Sequence, residues 1–145
     1  MKNILVAIDF ENNEKLLLDY AAEIATKFGS KVWLIHIAEP EPDFVGYEVG
    51  PQYIRDTLAE ELREEHRQLQ DYAMGLTKKE IEADGLLVQG ATVEMIMAES
   101  EKLNIDLIIL GHHEHSFLYK VFLGSVSTEI VKKSKIPVLI VPLIE

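Results

Sequence analysis

Two short stretches of the 145-residue chain gather most of the side chains able to do chemistry. The first is Gly111-His112-His113-Glu114-His115-Ser116, and the second is Gly124-Ser125-Val126-Ser127-Thr128. Gly124 permits close backbone approach, and the helix start behind it presents amides with no intrahelical partner. With the hydroxyls of Ser125, Ser127 and Thr128, this is a seat for a phosphate. A glycine and a serine also make an ordinary helix start, so that plainer reading stands beside it. In the first stretch, alternate side chains of an extended segment point the same way, which would let His113 and His115 face one zinc or other transition-metal ion. His36 is a candidate to join them. The plainer alternative is solvated histidines, or ones that cap carbonyls or stack on a nucleotide. Asp9 closes the first apolar run and is read either as a ligand acceptor or as a cap for the next turn.

These residues need a frame to hold them. Ile4–Ile8, Lys31–Ile37, Gly85–Gly90, Asp106–Leu110 and Ile136–Pro142 are short apolar runs, the pattern of strands buried on both faces. Between them lie helical spacings. Leu16, Leu17, Tyr20, Ala21, Ile24, Ala25 and Phe28 form one stripe, stopped by Gly29. A long polar helix over about 53–83 carries Ile54, Leu58, Leu62, Leu69, Tyr72 and Leu76, and Gly75 is the visible point of weakness. His66 continues that stripe, as a packed or hydrogen-bonded residue. Thr92 is placed to cap a third helix bearing Val93, Ile96, Met97, Ser100 and Leu103. The fourth starts at Gly124-Ser125, bears Val126, Ile130 and Val131, and ends in Lys132, Lys133 and Lys135, which suit the helix dipole. The sum is an α/β fold: one domain over 1–145, a doubly wound open parallel five-stranded sheet with helices on both faces. Such sheets bind ligands beyond the carboxyl ends of their strands, which nominates Asp9 and Phe10, Ile37 and Ala38, Gly90 and Ala91, and Gly111 onward.

Composition narrows the function. The formal charge is −11, which argues against a nucleic-acid or anionic-membrane binder, since both require a positive field. Of that charge, −8 falls between Glu39 and Asp84, in the connecting loop and long helix. The stretch from Gly111 to Thr128 carries only Glu114 against Lys120. The chain has no cysteine, excluding disulfides, thiol nucleophiles and thiolate metal sites. With no signal-peptide layout and no membrane-length apolar run, a cytoplasmic protein is expected. No Gly-x-Ser-x-Gly elbow or Walker lysine motif is present, and Ser125 has no evident base partner, so a binding or regulatory module is expected rather than an enzyme. The proline-bounded last strand reads as a sheet edge, open to pairing with a second copy across a two-fold axis. The long acidic helix is a solvated face or a docking surface for an unknown protein partner.

From end to end the chain resembles the universal stress protein family. The resemblance rests on Val6-Ala7-Ile8-Asp9, Leu34-Ile35-His36-Ile37, Asp106-Leu107-Ile108-Ile109-Leu110-Gly111, Gly124-Ser125-Val126-Ser127 and Pro137-Val138-Leu139-Ile140-Val141-Pro142. Nucleotide-binding members carry glycine, two residues, glycine, nine residues, then glycine and serine or threonine. Gly111 and Gly124-Ser125 fill the outer positions, and Glu114 replaces the second glycine. The resemblance implies an adenine nucleotide, ATP or AMP, with Mg²⁺ as a possible companion. It would place Asp9 and Ile37 on the adenine beside Ile8, and Gly111 with the backbone of His112 and His113 along the ribose and phosphates. Gly124, Ser125, Val126 and Ser127 would cradle the phosphates. It also implies a homodimer through Pro137–Pro142. Glu114 adds a Cβ and a negative charge where phosphate would approach, which weighs against ATP unless Lys120 or a divalent cation compensates. The competing functions are a member of the same fold acting only through protein contacts, and a metal-responsive protein using the His112–His115 loop.

Overall fold

The structure is a computed structural model and describes residues 1–11, 14–38, 52–113 and 126–143, without the side chains of residues 52–55 and His113. Five strands are present: β1 (Asn3–Ala7), β2 (Lys31–Ala38), β3 (Ala83–Gln89), β4 (Leu107–His113) and β5 (Val138–Leu143). Among the described residues four helices accompany them: α1 (Glu14–Phe28), α2 (Gln52–Thr77), α3 (Thr92–Lys102) and α4 (Val126–Lys133). All pairings are parallel, in the order β3-β2-β1-β4-β5. β5 is therefore an edge strand, where Pro142 takes no ladder donor away from a central pair.

Continuous apolar strands need cover on both faces, and the helices supply it. Ile4, Val6 and Ile8 pack with Leu17, Ala21 and Ala25 of α1 and Leu69, Ala73 and Leu76 of α2. Leu5, Ile35, Ile108 and Leu110 pack on the opposite face with Val93 and Ile96 of α3 and Ile130 of α4. Each fully buried side chain of this kind contributes roughly 1.5–3 kcal/mol. Gly85 lets α2 lie close, since a Cβ there would stand 3.0–3.1 Å from Leu69.

Several sequence expectations are corrected. Leu16, Tyr20 and Phe28 are exposed, because α1 buries the narrower stripe of Leu17, Ala21, Ala22 and Ala25. Val126 and Val131 are exposed on α4, which turns Ser127 and Ile130 inward. Thr92 does not cap α3: Ala91 is the N-cap, without a side-chain bond, and Thr92 begins the helix. α2 runs through Gly75 and stops at Thr77, so Ala83 opens β3 instead of closing the helix.

That early stop has a backbone cause. Three helices end alike, on a left-handed residue at Gly29 (φ 67°), Glu80 (φ 66°) or Asn104 (φ 55°). The next amide then folds back onto the last turn: Ser30 to Ala25 O (3.1 Å), Ile81 to Leu76 O (3.1 Å) and Ile105 to Ser100 O (2.9 Å). Glycine and asparagine advertise such a stop and glutamate does not. Replacing Glu80→Gly relieves a left-handed residue bearing a Cβ, and should raise unfolding free energy by about 0.5–1 kcal/mol in urea titration.

The amino ends of the strands are tied by polar contacts. Lys31 Nζ reaches Asp84 at 2.6 Å and Glu82 at 3.5 Å and lies 3.8 Å over the Trp33 ring. The hydrogen bond that Lys31 donates to Asp84 leads the influences that raise the Lys31 pKa. The Asp106 carboxylate accepts the amides of Asn3 (3.0 Å) and Lys2 (2.8 Å), and these bonds hold it below the usual aspartate range. A depressed carboxylate stabilises the fold above its unfolded pKa and loses that contribution as pH falls through the folded value. Asp106→Asn should therefore flatten part of the acid limb of a stability–pH curve between about pH 5 and pH 2, and leave its alkaline side unchanged.

Candidate functional site

Chain order reverses about β1, which lies between β2 and β4. Beyond the carboxyl ends of these strands the α1/α2 layer and the α3/α4 layer part, leaving a cleft of about 760 Å³. Its wall includes Ile8 and Asp9 after β1, Ile37 and Ala38 of β2, Gly111 of β4, and Val126 and Ser127 of α4. Of the residues singled out by sequence, Ile8, Asp9, Ile37, Gly111, Val126 and Ser127 thus meet at one opening. His112 is half-buried in β4, in register with Pro142, and is not among the lining residues. The side chain of His113, and Glu114, His115, Lys120, Gly124 and Ser125, lie outside the described residues.

The sequence reading ends the strand at Leu110, whereas β4 continues through Gly111 to His113 against β5. This gives Gly111 a packing role beside its place in the cleft. A Cβ there would run into Leu143 Cδ1, with Leu143 Cγ at 3.2 Å and Leu17 Cδ1 at 3.5 Å.

Two backbone amides fix the chain as it leaves β1. The Ile8 amide donates to Ile35 O at 2.8 Å, and the Glu11 amide donates to Asp9 Oδ1 at 3.0 Å. Asp9 therefore makes the local cap and is also part of the cleft lining. Phe10 sits at φ 61°, its ring centroid 4.7 Å from His36 and 6.5 Å from Tyr72. Burial, then the charge of Glu14, pushes the Tyr72 phenol above its ordinary pKa.

His36 is not disposed as a metal ligand. Its Nδ1–H donates to Ile8 O at 2.6 Å, and its Nε2 lies 2.8 Å from Glu65 Oε2. Both ring nitrogens are engaged, and among the described residues no three His, Asp or Glu side chains converge as a metal site. His66 is exposed, with Nε2 3.1 Å from Gln70 Nε2.

The long helix brings to the cleft residues that sequence reading did not place there. Leu58, Glu61, Leu62 and Glu65 of α2 form one wall, a stripe at helical spacing with acids interleaved. Asp9, Glu11, Glu61 and Glu65 make the described lining acidic, with His36 its only basic-type side chain. The acidity of the long helix therefore reaches one wall of the cleft through Glu61 and Glu65. The opposite wall is different in kind, being the first described residues of α4.

A doubly wound parallel sheet with a cleft at its switch point defines an α/β protein. The model of the universal stress protein family matches residues 1–142, and the chain belongs to that family. A universal stress protein of Thermus aquaticus, encoded in a sulfhydrylase 3′ region, is 32% identical over 142 residues, covering 97% of this chain and 98% of its own. The solved structure of the Methanocaldococcus jannaschii protein MJ0577 superposes with a TM-score of 0.78 at 27% identity, covering 99% and 97%. The same fold recurs in an Archaeoglobus fulgidus universal stress protein in complex with dAMP (TM-score 0.63, 18% identity, 97% of both chains). It recurs again in a universal stress protein in complex with cAMP (TM-score 0.66, 23% identity, 97% and 95%).

Gly111→Ala should lower stability by about 1–3 kcal/mol through overpacking against Leu143, read by chemical denaturation. Adding Leu143→Val removes the obstructing Cδ1 and should recover part of that loss, a non-additivity expected of touching residues.

Proposed function

We propose that the chain is a regulatory binding module that takes an adenine nucleotide, AMP or ATP, in the cleft between Asp9 and α4. The observation that carries this reading is the convergence of Asp9, Ile37 and Gly111 with the first described turn of α4 at a single opening. Ile8, Ile37 and Ala38 supply apolar surface for a base, and the Asp9 carboxylate is an acceptor for its exocyclic amino group. The phosphate belongs at the other end, near Val126 and Ser127, where helix amides favour an anion. Gly111 is the β4 residue at the same opening. The dAMP and cAMP complexes of the related folds support this class of ligand.

The charge of the lining sets a preference. Each further phosphate brings negative charge toward Asp9, Glu11, Glu61 and Glu65, so AMP should bind at least as tightly as ATP without a divalent cation. Mg²⁺ carried by the ATP phosphates would offset part of that repulsion. The open edge of β5 supports a homodimer, and the acid balance supports a small-molecule or protein partner over nucleic acid. A cytoplasmic setting accords with this reading, and among the described residues no helix is long and apolar enough to cross a membrane.

Isothermal titration with AMP, and with ATP in the presence and absence of Mg²⁺, tests the proposal. Saturable binding of at least one nucleotide is expected, weakened about tenfold in Asp9→Ala, the scale of one lost hydrogen bond to a charged group. Heats indistinguishable from dilution for both nucleotides would overturn it.

A further inference from the structure

We propose that His36 and Glu65 hold a proton between them and that this pair positions the Asp9 turn for its ligand, a role that rests on the nucleotide reading above. Ile8 O can only accept, so the hydrogen on the His36 side of that 2.6 Å contact belongs to Nδ1. A neutral imidazole protonated at Nδ1 has a lone pair on Nε2. That lone pair would face Glu65 Oε2, 2.8 Å away, which as a carboxylate also only accepts. The Nε2–Oε2 bond therefore requires a second proton, on the ring or on the carboxyl group. The His36 side chain is 13% exposed and the Glu65 side chain 29%, so water screens the two lone pairs poorly when that proton leaves.

The surroundings offer no substitute cation among the described lining residues. The turn after β1 presents Asp9 and Glu11, α2 presents Glu61 beside Glu65 and Tyr72 behind Phe10, and α1 presents Glu14 near Tyr72. From β3 the register partner of His36 is the apolar Leu87, and β4 contributes Gly111 to the same cleft.

The pair acts on the turn through two contacts. His36 anchors the Ile8 carbonyl, immediately before Asp9, and its ring backs Phe10, immediately after. Phe10 has a left-handed backbone, which a non-glycine residue keeps only when its neighbours over-determine it. Asp9 thus sits between two residues that His36 holds, and Glu65 sets the state of His36 from α2. Glu65 is a positioning residue and touches no proposed ligand atom in this role.

The test compares the full wild-type chain with Glu65→Gln and Glu65→Ala. Readouts are His36 ring nitrogen shifts by NMR, the Asp9–Glu11 amide shifts, and AMP affinity, each followed from about pH 5 to pH 9. In the wild type, the turn shifts and AMP affinity should change together as the second proton leaves, with affinity falling about tenfold toward high pH. A glutamine amide donates to Nε2 of a neutral ring, so Glu65→Gln should keep the wild-type turn shifts and lose the pH dependence. Glu65→Ala should displace the turn shifts at every pH. A wild-type turn that ignores pH while AMP binds, or a glutamine variant that behaves like alanine, would overturn the proton pair. Absence of AMP binding in all three proteins would overturn the nucleotide reading and the positioning role with it, while the apo shifts would still report the pair itself.

Discussion

Everything at the binding end of the molecule follows from the position of β1, paired in parallel with β2 on one side and β4 on the other. The chain leaves β1 toward one helical layer and reaches β4 from the other, so the layers part at the carboxyl ends of these two strands. The opening is maintained by the core beneath it. Ile4, Leu5, Val6, Ile108 and Ile109 are fully buried, and close packing there leaves no room for the layers to collapse together.

The two ends of the sheet are built for different tasks. At the amino ends, Lys31 meets Asp84, Glu82 and Trp33, and Asp106 holds the amides of Lys2 and Asn3, so polar groups satisfy one another. Among the described residues at the carboxyl ends, the charged side chains that line the cavity are acidic, with His36 beside them. A polar ligand fits that imbalance when its hydrogen-bond donors meet the carboxylates and its anionic group meets the start of α4. Helix amides amount to roughly half a positive charge at that start.

Much of the fold was legible in the sequence, because strands buried on both faces are continuous apolar runs and these stand out from helical spacing. The proline-bounded last strand announced its edge position in the same way. Where the reading failed, the deciding signal was tertiary or conformational. Glu80 takes a left-handed turn without being glycine, so the end of α2 was hidden. Leu16, Tyr20 and Phe28 are as apolar as their buried neighbours, and only the rotation of α1 on the sheet tells them apart. At the site, residues at strand ends were found because topology alone nominates them. Glu61 and Glu65 were not, because on a polar helix an acid facing a cleft looks like one facing water. Their spacing with Leu58 and Leu62 was the available clue, and the contact with His36 joins residues far apart in sequence.

The central claim is that a nucleotide occupies the switch-point cleft and no other part of this molecule. Titrating the ¹⁵N-labelled chain with AMP and mapping amide shifts tests it most directly. Saturable changes at Asp9–Glu11, Ile37, Gly111 and Val126–Ser127, with Lys2, Lys31 and Asp106 at the far end of the sheet unmoved, are the predicted result. Changes centred elsewhere, or none at saturating AMP, would contradict the account.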